Sequence, residues 1–475
     1  INHRGPDFKD EIIGETFYLG HTRLSILDLS NNGNQPMISK DGNFVIIFNG
    51  EIYNHLDLRE KYLNDIDFIS TCDTETLLYG LIKKGTEFIN KLNGIFSFSF
   101  YNIKTKEFII VRDHFGVKPL YYCYNKNDFF FSSEAKVLIP YLSKMSVNKS
   151  ALKNYLNFLW SPGELTTVNE IKKLLPGHLI KGNSKDLKSF KIEQYYKIPF
   201  NDKDILNESE DYFIDALEDK LVNAVKRQML ADVPVGFFLS GGLDSSLIVA
   251  IARKLYPEKK IECYTINSPE VSKEGFTEDL FYAKRVSEFL NVNLTIVDAN
   301  ADILDFFDKI VYHLDEPQAD AAPINVYNIC NAAKKQGIKV MLGGTAGDDL
   351  FSGYRRHQAL RLEKIFICLP LFLRKLLKKI VNSLNKQDPK YRRLTKLLIN
   401  IDQPKSERML GYFDWIDVKT LNGLFLKENN YDHHSFFKKL TKALPEKISD
   451  LNKMLFWELN TFLVDHNLNY TDKLS

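Results

Sequence analysis

Seven residues, Ser240-Gly241-Gly242-Leu243-Asp244-Ser245-Ser246, place glycines, hydroxyls and a carboxylate directly after the apolar run Val233 to Leu239. A strand that enters a Gly-Gly turn and leaves at once into a helix makes an anion nest. Glycine lets the backbone approach a ligand, and the free N–H groups of the helix start point at it. No lysine follows the glycines, so this is not the nucleotide loop that carries Gly-Lys-Ser/Thr. A second cluster, Gly343-Gly344-Thr345-Ala346-Gly347-Asp348-Asp349, follows the apolar run 338–342. Asp244 and Asp348 become candidate Mg²⁺ ligands, because a hard cation prefers carboxylate and phosphate oxygen; the competing role is helix N-capping.

Both loops need a scaffold that brings them together. From about residue 211 onward, helical and strand-like segments alternate: helix 211–229, strand 233–239, helix from Leu243, strand 261–266, helix 278–290, strand 294–297, helices 302–313 and 323–336, strand 338–342. That alternation predicts an α/β, doubly wound parallel sheet with ligands beyond the carboxyl ends of its strands. Residues 1–200 read differently, as short β-type runs (44–48 ending at Asn49-Gly50, then 95–101, 107–112, 120–124 and 128–131) with helices at 55–64, 73–85 and 149–159. This pattern predicts an antiparallel α+β domain. The polar stretch 199–209 reads as a linker, giving domains 1–200 and 209–475.

Composition sets bounds. The chain has 475 residues, 44% hydrophobic and 26% charged, which suits a soluble protein of about two or three domains. A net charge of +2 gives no reason to expect a nucleic-acid or membrane partner. Cys72, Cys123, Cys263, Cys330 and Cys368 are scattered, which fits a reducing, cytoplasmic setting and offers neither a disulfide framework nor a zinc site. The basic run 374–393 reads as the solvated face of a packing helix.

The loop Ser240 to Ser246 resembles the pyrophosphate loop of enzymes that cut ATP between its α- and β-phosphates. From about Asp211 to Ser475 the chain resembles the synthetase domain of glutamine-dependent asparagine synthetases. The resemblance implies ATP binding by Leu239, Ser240, Gly241, Gly242, Asp244, Ser245, Ser246, Ile266, Gly343 and Gly344, with Asp244 and Asp348 on Mg²⁺. It implies attack of a carboxylate, aspartate in the family, on the α-phosphate, and displacement of AMP by ammonia. The loop Leu314-Asp315-Glu316-Pro317-Gln318-Ala319-Asp320 matches a family segment near the acceptor. One position departs: Thr345 stands where the family carries a glutamate tied to adenylation and ammonia deprotonation. Threonine is no base at neutral pH, so a sugar acid or other carboxylate is an alternative acceptor, and a silent scaffold a further one.

From His3 to Phe200 the chain resembles class II glutamine amidotransferases, with antiparallel sheets sandwiched by helices. The pieces are His3-Arg4-Gly5-Pro6-Asp7, Gly20-His21-Thr22-Arg23-Leu24-Ser25-Ile26, Asn49-Gly50-Glu51-Ile52-Tyr53-Asn54, Cys72-Asp73-Thr74-Glu75 and Arg112-Asp113-His114-Phe115-Gly116. By this resemblance Arg23, Leu24, Ser25, Ile26, Leu27, Glu51 and Asp73 bind glutamine. Arg23 would clamp its carboxylate, Asp73 would meet its amine, and Asn49 and Gly50 would form the oxyanion hole. The family nucleophile is a cysteine that begins the mature chain; Cys72 is internal and reads as a small core residue. The chain opens on Ile1 and closes on Ser475 without a helix stop, so both ends are expected to continue in the natural protein, the C-terminal one to a catalytic lysine. A homodimer is compatible with the resemblance.

Overall fold

Alternating apolar residues set the layers of the N-terminal half. The computed structural model describes residues 1–125, 127–200, 207–267, 279–299, 303–318, 320, 322–385, 387–425 and 432–475, the side chains of 303–306 and 418 excepted. The N-terminal strands are β1 (Phe8–Ile13), β2 (Tyr18–Arg23), β3 (Met37–Ile38), β4 (Phe44–Ile52), β5 (Gly94–Asn102), β6 (Glu107–Arg112), β7 (Tyr121–Asn125), β8 (Asp128–Ser132), β9 (Lys172–Lys173), β10 (His178–Asn183) and β11 (Asp186–Gln194). They pair antiparallel as a six-stranded sheet β11-β10-β6-β5-β4-β3, a three-stranded sheet β8-β7-β9 and the hairpin β1-β2.

On one face of the large sheet Ile46, Phe48, Phe96 and Phe98 meet Leu58 of α1 (His55–Tyr62) and Leu77, Leu78 and Leu81 of α2 (Asp73–Lys84). On the other face Val45, Tyr101, Ile110 and Ile180 meet Leu19, Leu120 and Tyr122. Helices therefore cover one side and strands the other, in an α+β arrangement. The run expected to end at Asn49-Gly50 instead continues through it to Ile52. Pairing of Phe48 with Phe98, Asn49 with Ser97 and Gly50 with Phe96 outweighs the turn preference of Asn-Gly.

After α3 (Lys149–Phe158) and α4 (Glu210–Gln228) come β12 (Val235–Phe238), α5 (Leu243–Leu255), β13 (Glu262–Asn267), α6 (Asp279–Leu290), β14 (Asn293–Asp298), α7 (Ile303–Leu314), α8 (Ala322–Lys335) and β15 (Val340–Leu342). Part of the expected linker, 201–206, lies outside the described residues. These four strands form a parallel sheet, β14-β13-β12-β15, around Phe237, Leu239, Val249, Ala252 and Cys263. Strand order reverses between β12 and β15, the switch point at which doubly wound sheets bind ligands, and each glycine-rich loop leaves one of these two strands.

The remaining helices are α9 (Gly347–Phe351), α10 (Arg355–Ile367), α11 (Leu371–Asn382), α12 (Pro389–Leu398), α13 (Lys405–Gly411), α14 (Val418–Gly423), α15 (Ser435–Thr441), α16 (Asp450–Asn460) and α17 (Asn469–Leu474), with a π-helical turn at Leu463–Leu468. The basic run lies on α11 and α12, which pack through Val381 and Leu398. No helix among the described residues is long and apolar enough to cross a membrane.

Candidate active site

Beyond its pairing with β3 at Val45 and Ile46, strand β4 presents a free edge beside α2. Phe48 N–H donates to Gln35 Oε1 at 2.6 Å and Ile52 N–H to Asp73 Oδ2 at 2.7 Å, both off that edge. Strand alternation sends the N–H of Gly50 the same way, and among the described residues it has no acceptor there. A Cβ on Gly50 would stand 2.0 Å from the Ile95 carbonyl oxygen, so only glycine lets β4 and β5 approach here. Asn49 rests its Nδ2 on Ser133 Oγ at 3.2 Å. Burial pushes His21 down to about 4, so its ring is neutral and Nε2–H donates to the Phe48 carbonyl at 3.0 Å.

Arg23 is placed differently from the expected clamp. Its buried guanidinium donates to the carbonyls of Ser30, Leu27 and Asp28 and to Asn34 Oδ1, and thereby holds the loop 27–34 in shape. Gripping a substrate carboxylate would require it to exchange these partners. Leu24, Ile26 and Leu27 border the large cavity described below. Ser25 does not; its N–H donates to Asp7 Oδ2 at 2.8 Å. Cys72 is 3% exposed, and burial raises its thiol pKa, as befits a core residue.

Glu51 and Asp73 face one another, and neither has an ion-pair partner among the described residues; Lys118 and Arg23 act on Glu51 only from a distance. Burial, then the charge of Asp73, pushes Glu51 well above the usual carboxylate range. Burial pushes Asp73 up to about 6, against the opposing backbone N–H bonds of Ile52 and Thr74. Because the folded pKa exceeds the ordinary 3.8, the native state holds more protons than the unfolded one between these values. The contribution of Asp73 to stability therefore declines as pH rises through that window. Asp73→Asn should raise the melting temperature of the ligand-free protein by roughly 2–4 °C at pH 8 and by less at pH 4.5. Equal losses at both pH values in scanning calorimetry would show that the Ile52 hydrogen bond, and not the buried charge, governs this residue.

The loop after β12 is closed by its own hydroxyls. Ser240 Oγ and Ser245 Oγ lie 3.0 Å apart, Gly242 N–H donates to Ser240 Oγ at 3.2 Å, and Ser246 Oγ donates to the Gly242 carbonyl at 2.7 Å. Gly241 sits at φ +81°, pressed against α6. No side chain caps α5, which leaves its first N–H groups aimed outward as the nest requires. Leu239 directly follows β12, and Ile266 lies at the end of the neighbouring β13, one residue before Asn267; the two strands are joined here by the bond from Leu239 N–H to the Tyr264 carbonyl at 2.9 Å.

The second loop lies directly on the first: a Cβ on Gly344 would be 2.7 Å from Asp244 Cβ and 2.8 Å from Ser245 N, which accounts for the close approach at Gly343-Gly344. Neither Asp244 nor Asp348 caps a helix, since the N-caps of α5 and α9 are Gly242 and Ala346. Burial and then the charge of Asp348 raise the Asp244 pKa. Two such carboxylates, with no hydrogen-bond donor or ion-pair partner among the described residues, have the chemistry of a divalent-cation site.

A cavity of about 2020 Å³ runs from Asn49, Gly50, Glu51 and Asp73 to Gly343, Thr345 and Ala346. A smaller one of about 260 Å³ is bordered by Asp244, Asp348, Gly344, Asp320, Tyr354, His466, Asn467 and Tyr470. Thr345 and Ala346 line both. Sequence reading did not single out His466, Asn467 or Tyr470. They lie on or just after the π-helical turn, and a pattern of period 3.6 does not reveal a π turn.

The expected acceptor loop divides. Asp315 lies at the interface with the N-terminal half, bonded to Lys136 at 2.9 Å and Lys473 at 2.5 Å, and Glu316 is 3.8 Å from Lys173. Asp320 reaches the smaller cavity, and Ala319 lies outside the described residues. The same interface fixes His3 on Glu134 at 2.7 Å and Arg4 on Asp472 at 2.5 Å. Burial of Asp472 is outweighed by Arg4 and Lys118, which hold it well below the usual carboxylate range.

Comparison with known proteins agrees with both halves. A glutamine amidotransferase domain model matches residues 1–196, and an asparagine synthase model matches residues 216–475. Asparagine synthetase 1 (glutamine-hydrolysing) of Bacillus subtilis is 33% identical over 484 aligned residues, covering 100% of this chain and 73% of that protein. The putative asparagine synthetase 2 of Methanocaldococcus jannaschii is 34% identical over 79% of this chain and 75% of its own length. Asparagine synthetase B of Escherichia coli is 30% identical over 74% of this chain and 60% of its own length. With antiparallel sheets before a parallel one and both models matched in order, the chain belongs to the glutamine-hydrolysing asparagine synthetase family.

Proposed function

We propose that the protein forms an amide on aspartate, with nitrogen released from glutamine in the N-terminal domain (1–200) and used in the C-terminal domain (209–475). The observation that carries this reading is the continuous cavity between the Asn49–Gly50 edge and Thr345. A small neutral molecule such as ammonia would travel within it and emerge beside the two-aspartate cluster. In the N-terminal domain the thiol of the family's chain-starting cysteine would attack the glutamine amide carbon. Asn49 Nδ2 and Gly50 N–H would serve as donors to the oxyanion that develops, and its collapse would expel ammonia, leaving a thioester for water to cleave. Buried Asp73 and half-buried Glu51, neither ion-paired among the described residues, receive the ammonium group of glutamine. Arg23 holds the surrounding loop in the geometry that admits the substrate.

In the C-terminal domain the nest from Ser240 to Ser246 accepts the phosphates of ATP, with Leu239, Ile266, Gly343 and Gly344 forming the nucleotide wall. Asp244 and Asp348 would hold Mg²⁺, which supplies charge neutralisation at the phosphates when bound. The acceptor carboxylate would sit in the smaller cavity and attack the α-phosphate. Ammonia arriving past Thr345 would then displace AMP. Thr345 can donate or accept a hydrogen bond but cannot take a proton at neutral pH, so deprotonation of the incoming nitrogen falls to another group or to water.

The test is direct. Full-length protein is incubated with ATP, Mg²⁺ and ammonium, with aspartate or a panel of uronic acids, and AMP is followed. Aspartate-dependent AMP with stoichiometric asparagine is the expected result. Turnover with a uronic acid alone would replace aspartate as the acceptor.

A further inference from the structure

Far from both loops in sequence, Asp414, His433 and His434 converge between the end of α3 and α15, with one ligand-type atom from each within 4.8 Å of the others. His434 Nε2 lies 2.8 Å, and His433 Nε2 3.8 Å, from the same Asp414 oxygen, Oδ1. A hydrogen bond to His434 accounts for one of these contacts only. Both histidines are buried, at 7% and 6% exposure, and His433 Nε2 has no hydrogen-bond partner among the described residues. Two imidazoles whose ring centroids are 4.1 Å apart thus turn toward one carboxylate oxygen, and a buried ring nitrogen is left without a partner among the described residues.

A bound cation would satisfy all three groups. Tetrahedral zinc with bonds of about 2.0–2.1 Å sets its ligand atoms about 3.3 Å apart, and the observed 2.8 and 3.8 Å fall on either side of that spacing. The surroundings also suit a metal. Asn157 Nδ2 donates to Asp414 Oδ1 at 2.7 Å and so orients the carboxylate. Glu407 Oε2 stands 3.9 Å from His434 Nδ1, on the side of the ring away from the cluster, where a ligating histidine usually finds a carboxylate. Lys396 donates to the backbone carbonyl of Asp414, not to its carboxylate. Imidazole with carboxylate favours Zn²⁺ among the common cations, and Mg²⁺ least.

We propose that Asp414, His433 and His434 form a three-ligand Zn²⁺ site, the fourth position falling to water, distinct from the Asp244–Asp348 cluster, that ties the Asp414 turn and α15 to the end of α3. Cysteine spacing gives no zinc signal in this chain because the ligands are imidazole and carboxylate drawn from separate segments.

The test uses the full chain stripped with chelator, then given Zn²⁺ or Co²⁺ in millimolar Mg²⁺ without nucleotide, so that hard-oxygen sites are filled. One equivalent of Zn²⁺ should be retained through gel filtration, and Co²⁺ should give the visible absorption of a low-coordinate nitrogen–oxygen site. His433→Gln and Asp414→Asn should each weaken metal binding at least tenfold and abolish that absorption. Should either variant fail to fold, the wild-type protein decides: its melting temperature should rise with Zn²⁺ and fall on adding chelator. Substoichiometric Zn²⁺, a Co²⁺ spectrum unchanged in folded His433→Gln, or a melting temperature indifferent to Zn²⁺ would each overturn the site.

Discussion

Asp244→Asn should lower ATP-dependent pyrophosphate release by about 10²–10³-fold, the cost of removing one well-placed electrostatic group from a reacting centre. The side chain is half-buried at the mouth of the Ser240–Ser246 loop and makes no hydrogen bond among the described residues. Its pKa is raised by burial and by the neighbouring Asp348, so the two carboxylates repel one another until a cation arrives. Asparagine keeps the size and removes the charge. The variant should therefore melt at or slightly above the wild-type temperature while losing activity. Restoring turnover with excess Mg²⁺ would support a metal-binding role. Undiminished pyrophosphate release would remove Asp244 from the machinery, and a large drop in melting temperature would mark it as structural.

Asn49→Ala in the full-length protein should reduce glutamine-dependent synthesis by a similar 10²–10³-fold, the usual effect of deleting an oxyanion donor. Ammonium-dependent synthesis should be unchanged. The split follows from geometry: Asn49 lies on β4 at the glutamine end of the large cavity, and Thr345 lies at the other. Among the described residues the Asn49 side chain hydrogen-bonds only to Ser133 Oγ, a bond whose loss costs little stability. If both nitrogen sources failed equally, the two ends of the cavity would be mechanically coupled rather than joined by passage of ammonia. If neither changed, Gly50 N–H alone would supply the oxyanion hole.

The chemistry that lies in a continuous stretch of chain was legible in the sequence. The nest from Ser240 to Ser246 needs only a strand, two glycines and a helix start, all local, and the alternation of 2.0 and 3.6 periods set the parallel sheet around it. The aspartates of both loops were readable for the same reason. Asn49-Gly50 misled as a strand end because its turn preference is local, whereas its pairing partners Ser97 and Phe96 lie far along the chain. Arg23 carried the right residue type, but the carbonyls of the loop 27–34 decided where its guanidinium went.

The rest came only from packing. Asp315 was drawn into an ion-pair interface by Lys136 and Lys473, and Asp320, His466, Asn467 and Tyr470 were brought to the nucleotide loop from distant segments. Asp414 and the two histidines at 433–434 share no spacing that signals a site. The two-domain family, the glycine–hydroxyl loop and the two aspartates were written in local sequence, because backbone propensity and short motifs encode them within a few residues. Tertiary structure decided which buried polar groups share a cavity, because burial removes water from groups that sequence spacing does not pair, and each must then find a partner across the fold.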